Sequence, residues 1–393
     1  MFAAHFALVI GTAATEIDLI ANADIALVDA ANVLSEVAAV EESAESARVA
    51  TGLAKPPVTT RIGPTYTPFS AAAKTVQENQ NDCALSTLIR PLAHCGLGCS
   101  LHCWSSQVET ARKAGRRLVN AGHWLWTDET RGCGGASPAG DPFACYFKVA
   151  GAPACAAPPP HIYVEKKKNQ NDCAGNGAAI EFLFTRGTSA MVQREVARQI
   201  RAIFGHNGVP DDLITVHIRW GDKWQESKLL KASIYVDGVK ELLRKRGRDA
   251  DAYAANIYLA TEDPKAFEQF ERAAPSSWTV FRDQTAVDMA ARGRRVDAPE
   301  SAGVVYHGAM GTDSIVSLII AMEANDYVLT MMSNWSRLMD ELRLRIVDQL
   351  CGGCTNAIKL RQETNTLYYN QNSRKKHPLA ELKKDYTNGV YDP

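Results

Sequence analysis

The chain has 393 residues, 46% hydrophobic and 22% charged, a soluble globular composition long enough for two domains or for one large domain with an extension. Its formal net charge of -1 supplies no global field to recruit nucleic acid or an anionic membrane. No stretch approaches the roughly 20 consecutive apolar residues of a spanning helix, and Phe2 to Gly11 is too short, with too little basic charge before it, for a good signal peptide.

Residues 1–70 form an extension rich in Ala, Glu and Val that ends in a proline-punctuated linker, Lys55-Pro56-Pro57 through Thr67-Pro68. Its sequence suits one or two amphipathic helices or partial disorder, and no chemistry is assigned to it. Residues 71–180 are the cysteine-rich part. Cys83, Cys95, Cys99, Cys103, Cys133, Cys145 and Cys155 crowd together here, with Cys173 soon after. Such clustering among glycines and prolines reads as a disulfide-stapled module of a secretory-pathway protein. Zinc is the competing reading and the weaker one, because the spacing of Cys95, Cys99 and Cys103 differs from that of paired C-x-x-C knuckles. Within Cys95-Gly96-Leu97-Gly98-Cys99-Ser100-Leu101-His102, alternate glycines let the backbone approach a ligand closely, which reads as a loop pinned by its cysteines or as a tight structural turn. Asp128 to Pro160 reads as irregular loops.

From residue 181 to about 370 helices and strands alternate. Val192, Val196, Ile200 and Ile203 make one helical stripe closed by Gly205. Leu213 to Ile218 is a run of branched apolar residues, the mark of a strand buried on both faces. Ser233 is placed to cap the next helix, through Val236, Val239, Leu242 and Leu243. Asn256 to Ala260 is a second strand, and after it Asp263 can cap a helix with Pro264 at its first position. Trp278 to Phe281 is a third strand. An apolar helix from Ile315 to Ala324, capped by Thr312 or Asp313, leads to a fourth strand, Asp326 to Thr330, and then to a helix through Leu338, Leu342, Ile346 and Leu350. Residues 371–393 are a tail.

Strands separated by helices imply a Rossmann-like parallel sheet, in which the loops after the strands open on one edge. His217 to Lys223, Thr261 to Asp263 and Ser333 to Arg337 therefore converge there. Arg219 brings a planar fork of donors that suits a pyrophosphate or carboxylate; the plainer alternative is a surface ion pair with Asp222. A helix N-terminus nearby favours an anionic ligand that also carries hydroxyls. No phosphate loop of the G-x-x-x-x-G-K-[ST] kind and no dinucleotide G-x-G-x-x-G fingerprint is present.

Four ordered stretches resemble the α1,6-fucosyltransferase family, which comprises core N-glycan fucosyltransferases and their rhizobial relatives. His217-Ile218-Arg219-x-x-Asp222-Lys223 is similar to that family's H-[VI]-R-R-x-D-K. Leu259-Ala260-Thr261-Glu262-Asp263-Pro264 is similar to L-A-T-D-D-P. Asp326-Tyr327-Val328 with Ser333-Asn334-Trp335-Ser336-Arg337-Leu338 resembles D-[FY]-x-V…S-S-N-x-S-R-L, and Cys95 to His102 resembles G-C-G-[FY]-G-C-Q-L-H. Trp220 stands where the family has a second arginine, and Asp313 is the nearest counterpart of an aspartate the family carries before the fourth strand.

The resemblance implies a GT-B-like α/β fold, with the Rossmann-like domain (181–370) binding a nucleotide-sugar donor and the smaller cysteine-rich α/β domain before it. It also implies metal-independent, inverting transfer of fucose from GDP-fucose to a glycan hydroxyl, with no cofactor, in the secretory pathway and its Golgi lumen. Any membrane association would come through a targeting segment not evident here. Arg219 and Lys223 would stabilise the leaving phosphate. Glu226, or else Asp222, would act as base. His217, Gly96, Gly98, His102, Thr261, Glu262, Asp263, Asp313, Ser333 and Asn334 would hold the donor, with Asp263 serving equally well as a simple helix cap. The alternatives are a non-catalytic glycan- or nucleotide-binding protein of the same fold, or a transferase using another nucleotide sugar or a protein acceptor. Asn334-Trp335-Ser336 fits the glycosylation sequon but lies at the expected site, and Cys351-Gly352-Gly353-Cys354 reads as a local disulfide or two thiols.

Overall fold

Two interleaved apolar patterns build a sheet covered on both faces. In the computed structural model, which describes residues 60–90, 92–93, 95–120, 124–131, 142–148, 162–164, 173–284 and 308–364, five strands pair in parallel. They are β4 (Ile214–His217), β5 (Asn256–Ala260), β6 (Thr279–Arg282), β7 (Asp326–Thr330) and β8 (Asn356–Leu360), in the order β6-β5-β4-β7-β8. Nearly all of the N-terminal extension, the tail 371–393, Cys133 and Cys155 lie outside the described residues.

Alternation along the strands sorts side chains between two cores. Ile214, Val216, Ile257, Leu259 and Val328 join one cluster with α5 (Ala232–Lys245) and α6 (Pro264–Ala273). Tyr258, Ala260, Tyr327 and Leu329 join the other with α4 (Ala190–Phe204) and α7 (Ala309–Ala321). The period of two is what a strand buried on both faces must show. Thr215 on the second face donates its hydroxyl to the Ala321 carbonyl at 2.7 Å, so α7 is tied to the sheet by a satisfied polar contact as well as by packing.

The cysteine-rich part carries a smaller parallel sheet, β2-β1-β3, from β1 (Ser86–Arg90), β2 (Arg116–Asn120) and β3 (Ile162–Val164). Around it lie α1 (Ala71–Asn81), α2 (Leu97–Lys113) and α3 (Gly177–Thr185). Disulfides join Cys95 to Cys99, Cys103 to Cys173 and Cys351 to Cys354, and no cysteine is free among the described residues. The pairing follows the disulfide reading, while the sulfurs of Cys95, Cys99 and Cys103 also lie within 4.8 Å of one another.

Several local expectations change. The glycine stretch at Cys95 is not a loop: Gly96 is the N-cap of α2, and Leu97 already begins the helix. α5 starts at Ala232 after Lys231, so Ser233 lies inside it and is not its cap. α7 starts at Ala309, placing Thr312 and Asp313 within the helix. Its cap is Gly308, at φ 74°, where a Cβ would lie 1.9 Å from the Thr127 carbonyl oxygen; a close tertiary approach sets this start, and no side-chain signal marks it. Asn356–Leu360 is an edge strand whose half-exposed residues lack the apolar run that marks the central strands.

Gly311, within α7, shares this crowding, since a Cβ there would lie 2.2 Å from the Trp126 carbonyl oxygen and 2.3 Å from the Tyr146 hydroxyl. Gly311→Ala is expected to destabilise the protein by about 1–3 kcal/mol, the usual range for overpacking. Urea unfolding of the two proteins measures it, and equal midpoints would contradict this account of the packing.

Candidate functional site

The last residues of β4 decide what stands at the carboxyl edge of the sheet. By strand parity His217 and Arg219 fall on the α7 side and Trp220 on the other. The His217 ring is 5% exposed, with its Nδ1 2.6 Å from Ser336 Oγ. Ser336 also accepts from the Thr330 backbone N–H at 3.0 Å, so its hydroxyl links the His217 ring to the end of β7. Thr330 in turn donates to the His217 carbonyl at 2.9 Å, and its hydroxyl lies 2.9 Å from the Tyr235 hydroxyl. Burial, with Arg219 and Lys223 nearby, lowers the imidazole pKa to about 3, so His217 is a neutral fixture at neutral pH.

Trp220 is fully buried in the α5 core, with its indole N–H donating to the Leu230 carbonyl at 2.9 Å. A second arginine at this position would have to be buried among apolar side chains. The guanidinium of Arg219 makes a 2.7 Å contact with Glu262 Oε1 and donates to the Trp220 carbonyl at 2.7 Å. The turn Gly221–Gln225 follows, and within it buried Lys223 forms an ion pair with exposed Glu226. Asp222 lies in that turn, but its side chain falls outside the description.

From β5 the chain brings Thr261, Glu262 and Asp263. The Thr261 hydroxyl accepts from Asp263 N–H at 3.2 Å, and buried Asp263 caps α6 through Lys265 N–H at 2.9 Å. From β7 it brings Ser333, which caps α8 (Asn334–Leu342) by accepting from Trp335 N–H at 3.3 Å. The Asn334 side chain accepts from Arg337. Gly98 lies against this helix start: a Cβ there would be 3.1 Å from the Asn334 carbonyl carbon and the Trp335 nitrogen. The N-terminal turns of α2, behind Gly96, and of α8 therefore meet at the sheet edge. Ser333 takes up the Trp335 N–H, and both helix starts carry the positive ends of their dipoles, an arrangement that favours an anion.

Two expected residues stand apart from this group. His102 points along α2 toward Glu341, with Nε2 3.6 Å from Oε2, and is buried. Asp313 belongs to an acidic cluster held by Arg131, whose guanidinium reaches Asp313 at 3.2 Å and Asp128 at 2.6 Å. The Thr312 hydroxyl donates to Asp128 at 2.7 Å. Burial raises the Asp313 carboxyl to about 6, with Arg131 opposing and Glu195, Asp283 and Asp128 reinforcing the shift. Sequence reasoning did not assign Asp128, Arg131, Glu195, Asp283 or Thr330 to any site. The first two lie in a stretch that reads as irregular loop, and their pairing to α7 spans almost half the chain.

No family model matches this chain, and no curated protein matches it. Among solved structures it is similar to the fucosyltransferase NodZ from Bradyrhizobium, at 13% identity and TM-score 0.35, over 65% of this chain and 93% of that one. It is likewise similar to NodZ alpha-1,6-fucosyltransferase co-crystallized with GDP, at 13% identity and TM-score 0.36, covering 65% and 92% of the two chains. At this identity and score the likeness carries nothing about substrate or mechanism.

The two shifted groups give pH dependences of opposite sign. For His217 the folded value, about 3, lies below the ordinary 6.5, so between these values the unfolded chain binds a proton that the folded chain refuses. Its contribution is present in full above pH 6.5 and is lost as pH falls toward 3, by up to about 1.4 kcal/mol per unit. Asp313 runs the other way, since its folded carboxyl binds the proton more tightly between 3.8 and about 6. Urea unfolding at pH 7 and pH 5 is expected to show His217→Gln losing less stability than the wild type on acidification and Asp313→Asn losing more. Equal losses in all three would contradict the assigned burial.

Proposed function

We propose that this protein is an inverting glycosyltransferase that moves fucose from GDP-fucose to a glycan hydroxyl without a metal ion. What carries the reading is the abutting of two helix starts at Gly98, with Ser336 of the second bonded to His217, two residues before Arg219; we read this edge as a cradle for a diphosphate. The four motifs that resemble the fucosyltransferase family support the choice of donor. In this reading residues 181–370 hold the donor, and 71–180 add the N-terminus of α2.

The acceptor oxygen attacks the anomeric carbon as the bond from that carbon to the β-phosphate oxygen breaks. The electron pair leaves with the phosphate, and the acceptor proton passes to a carboxylate. A fixed cation at the β-phosphate meets charge that grows toward the transition state, so it lowers the barrier more than it tightens ground-state binding. Arg219 has that role, with Lys223 behind it. Ser333 and the α8 terminus hold phosphate oxygens, and the neutral His217 offers its Nε2 side to the donor. Glu226 is the base, with Asp222 as the other choice. Glu262 and Glu226 occupy the two cations when no donor is bound, and the incoming phosphates replace them. The paired cysteines support an oxidising compartment, which we take to be the Golgi lumen. A second reading, a binder that holds the nucleotide without turnover, draws on the engagement of Glu226 by Lys223.

Incubation of the purified chain with GDP-fucose and a mixed N-glycan pool, followed by mass spectrometry, tests the reading. Fucosylated product or released fucose is expected, with Arg219→Ala slower by about 10²–10³-fold, as for loss of one charge-stabilising donor. Glu226→Gln should lose transfer. Unchanged rates in Arg219→Ala, or no turnover with any acceptor, would overturn the enzymatic reading.

A further inference from the structure

Between α1, α3 and the C-terminal half of α8 lies a cleft of about 410 Å³ that the proposed reaction does not use. The volume is within the range of about 300–1,000 Å³ typical of small-ligand pockets. Its lining includes Phe69, Ser70, Glu181, Glu341, Arg345 and Gln349.

Arg345 and Leu344 belong to a π-helical turn, Arg343–Val347, which continues α8. Such turns interrupt the regular ladder and recur at functional sites. The guanidinium lies directly on the start of α3: a Cβ on Gly177 would be 2.1 Å from Arg345 Nε, so the glycine makes room for it. Glu341 is braced from behind by buried His102. Neither ring nitrogen of His102 nor Glu341 Oε2 has a hydrogen-bond partner, a costly arrangement for buried polar atoms.

The charges select among ligand classes. Glu181, almost fully buried, accepts from the Ser70 backbone N–H and hydroxyl at 2.7 Å each, and Arg345 lies 3.5 Å from it. The anion that the helix starts and the arginine would favour is thus supplied by the protein. A phosphate entering the cleft would meet Glu181 and Glu341, and a simple cation would meet Arg345. What remains for a ligand is a carboxylate that accepts, a guanidinium that donates, the Gln349 amide that does both, and the apolar surfaces of Phe69 and Leu344. A neutral ring bearing several hydroxyls uses all of these, with its C–H face on the phenyl ring and its hydroxyls on the polar groups.

We infer that this cleft is a saccharide-binding site, separate from the sheet edge and independent of the transferase reading. Calorimetric titration of the full chain with lactose, cellobiose and mannobiose tests it, with inorganic phosphate and putrescine as charged comparators. At least one disaccharide should bind, and Glu341→Gln and Arg345→Ala should each weaken binding at least about tenfold. Arg219→Ala should leave it unchanged. Glu341→Gln keeps the shape of the side chain, so it remains informative should Arg345→Ala unfold by stranding Glu181; thermal unfolding of each variant identifies that case. Binding of phosphate or putrescine alone, no disaccharide binding, or binding that Glu341→Gln leaves intact would overturn the inference, as would its loss in Arg219→Ala. Disaccharide binding alongside a failed fucose-transfer assay would leave the cleft standing and remove only the transferase reading.

Discussion

The hydrogen-bonded chain from Tyr235 through Thr330 to His217 and Ser336 ties the ends of β4 and β7 to the first turn of α8. Every member is buried and partnered, so the chain contributes little net energy when complete and costs about 1–3 kcal/mol for each polar group left unpaired. Its consequence is geometric. With β4 and β7 adjacent and α8 held to both, the first turn of that helix is fixed at the end of β4, two residues before Arg219. Gly98 then allows a second helix to abut the first without a side chain between them.

Electrostatics at this edge follows from burial. His217 stays neutral, so the positive character comes from Arg219, Lys223 and the two helix termini. The carboxylates that face the two cations, Glu262 and Glu226, are about half exposed. The part-exposed Arg219–Glu262 pair is worth roughly 0–1 kcal/mol, so a ligand carrying its own charge displaces Glu262 cheaply, whereas buried Lys223 needs an anion in place of Glu226. The contrast is the Asp128–Arg131–Asp313 group, where buried carboxylates share one arginine and Thr312 completes the bonding. Breaking that group strands buried charge, and its position joins α7 to the cysteine-rich part.

Much of the fold was legible because buried parallel strands need continuous apolar runs. Leu213 to Ile218, Asn256 to Ala260 and Asp326 to Thr330 carry such runs and emerge as β4, β5 and β7. The edge strand β8 lacks one, because only one of its sides has a neighbour. The start of α2 reads as a loop because Gly96 and Gly98 dominate the local signal, whereas the need for glycine comes from a helix more than two hundred residues away. Trp220 shows the limit at the site. Its place in the motif suggests a phosphate contact, but strand parity turns it into the opposite core. The pairings of Arg219 with Glu262 and of Arg131 with Asp313 join distant segments, and no local pattern encodes them.

The central claim is a diphosphate site at the sheet edge, and nucleotide binding tests it most directly. Purified protein titrated calorimetrically with GDP, GDP-fucose, UDP and ADP in the presence of EDTA should bind the guanine nucleotides, and Arg219→Ala should abolish that heat. Absence of binding by all four nucleotides, or GDP binding that persists unchanged without the Arg219 guanidinium, would contradict the account.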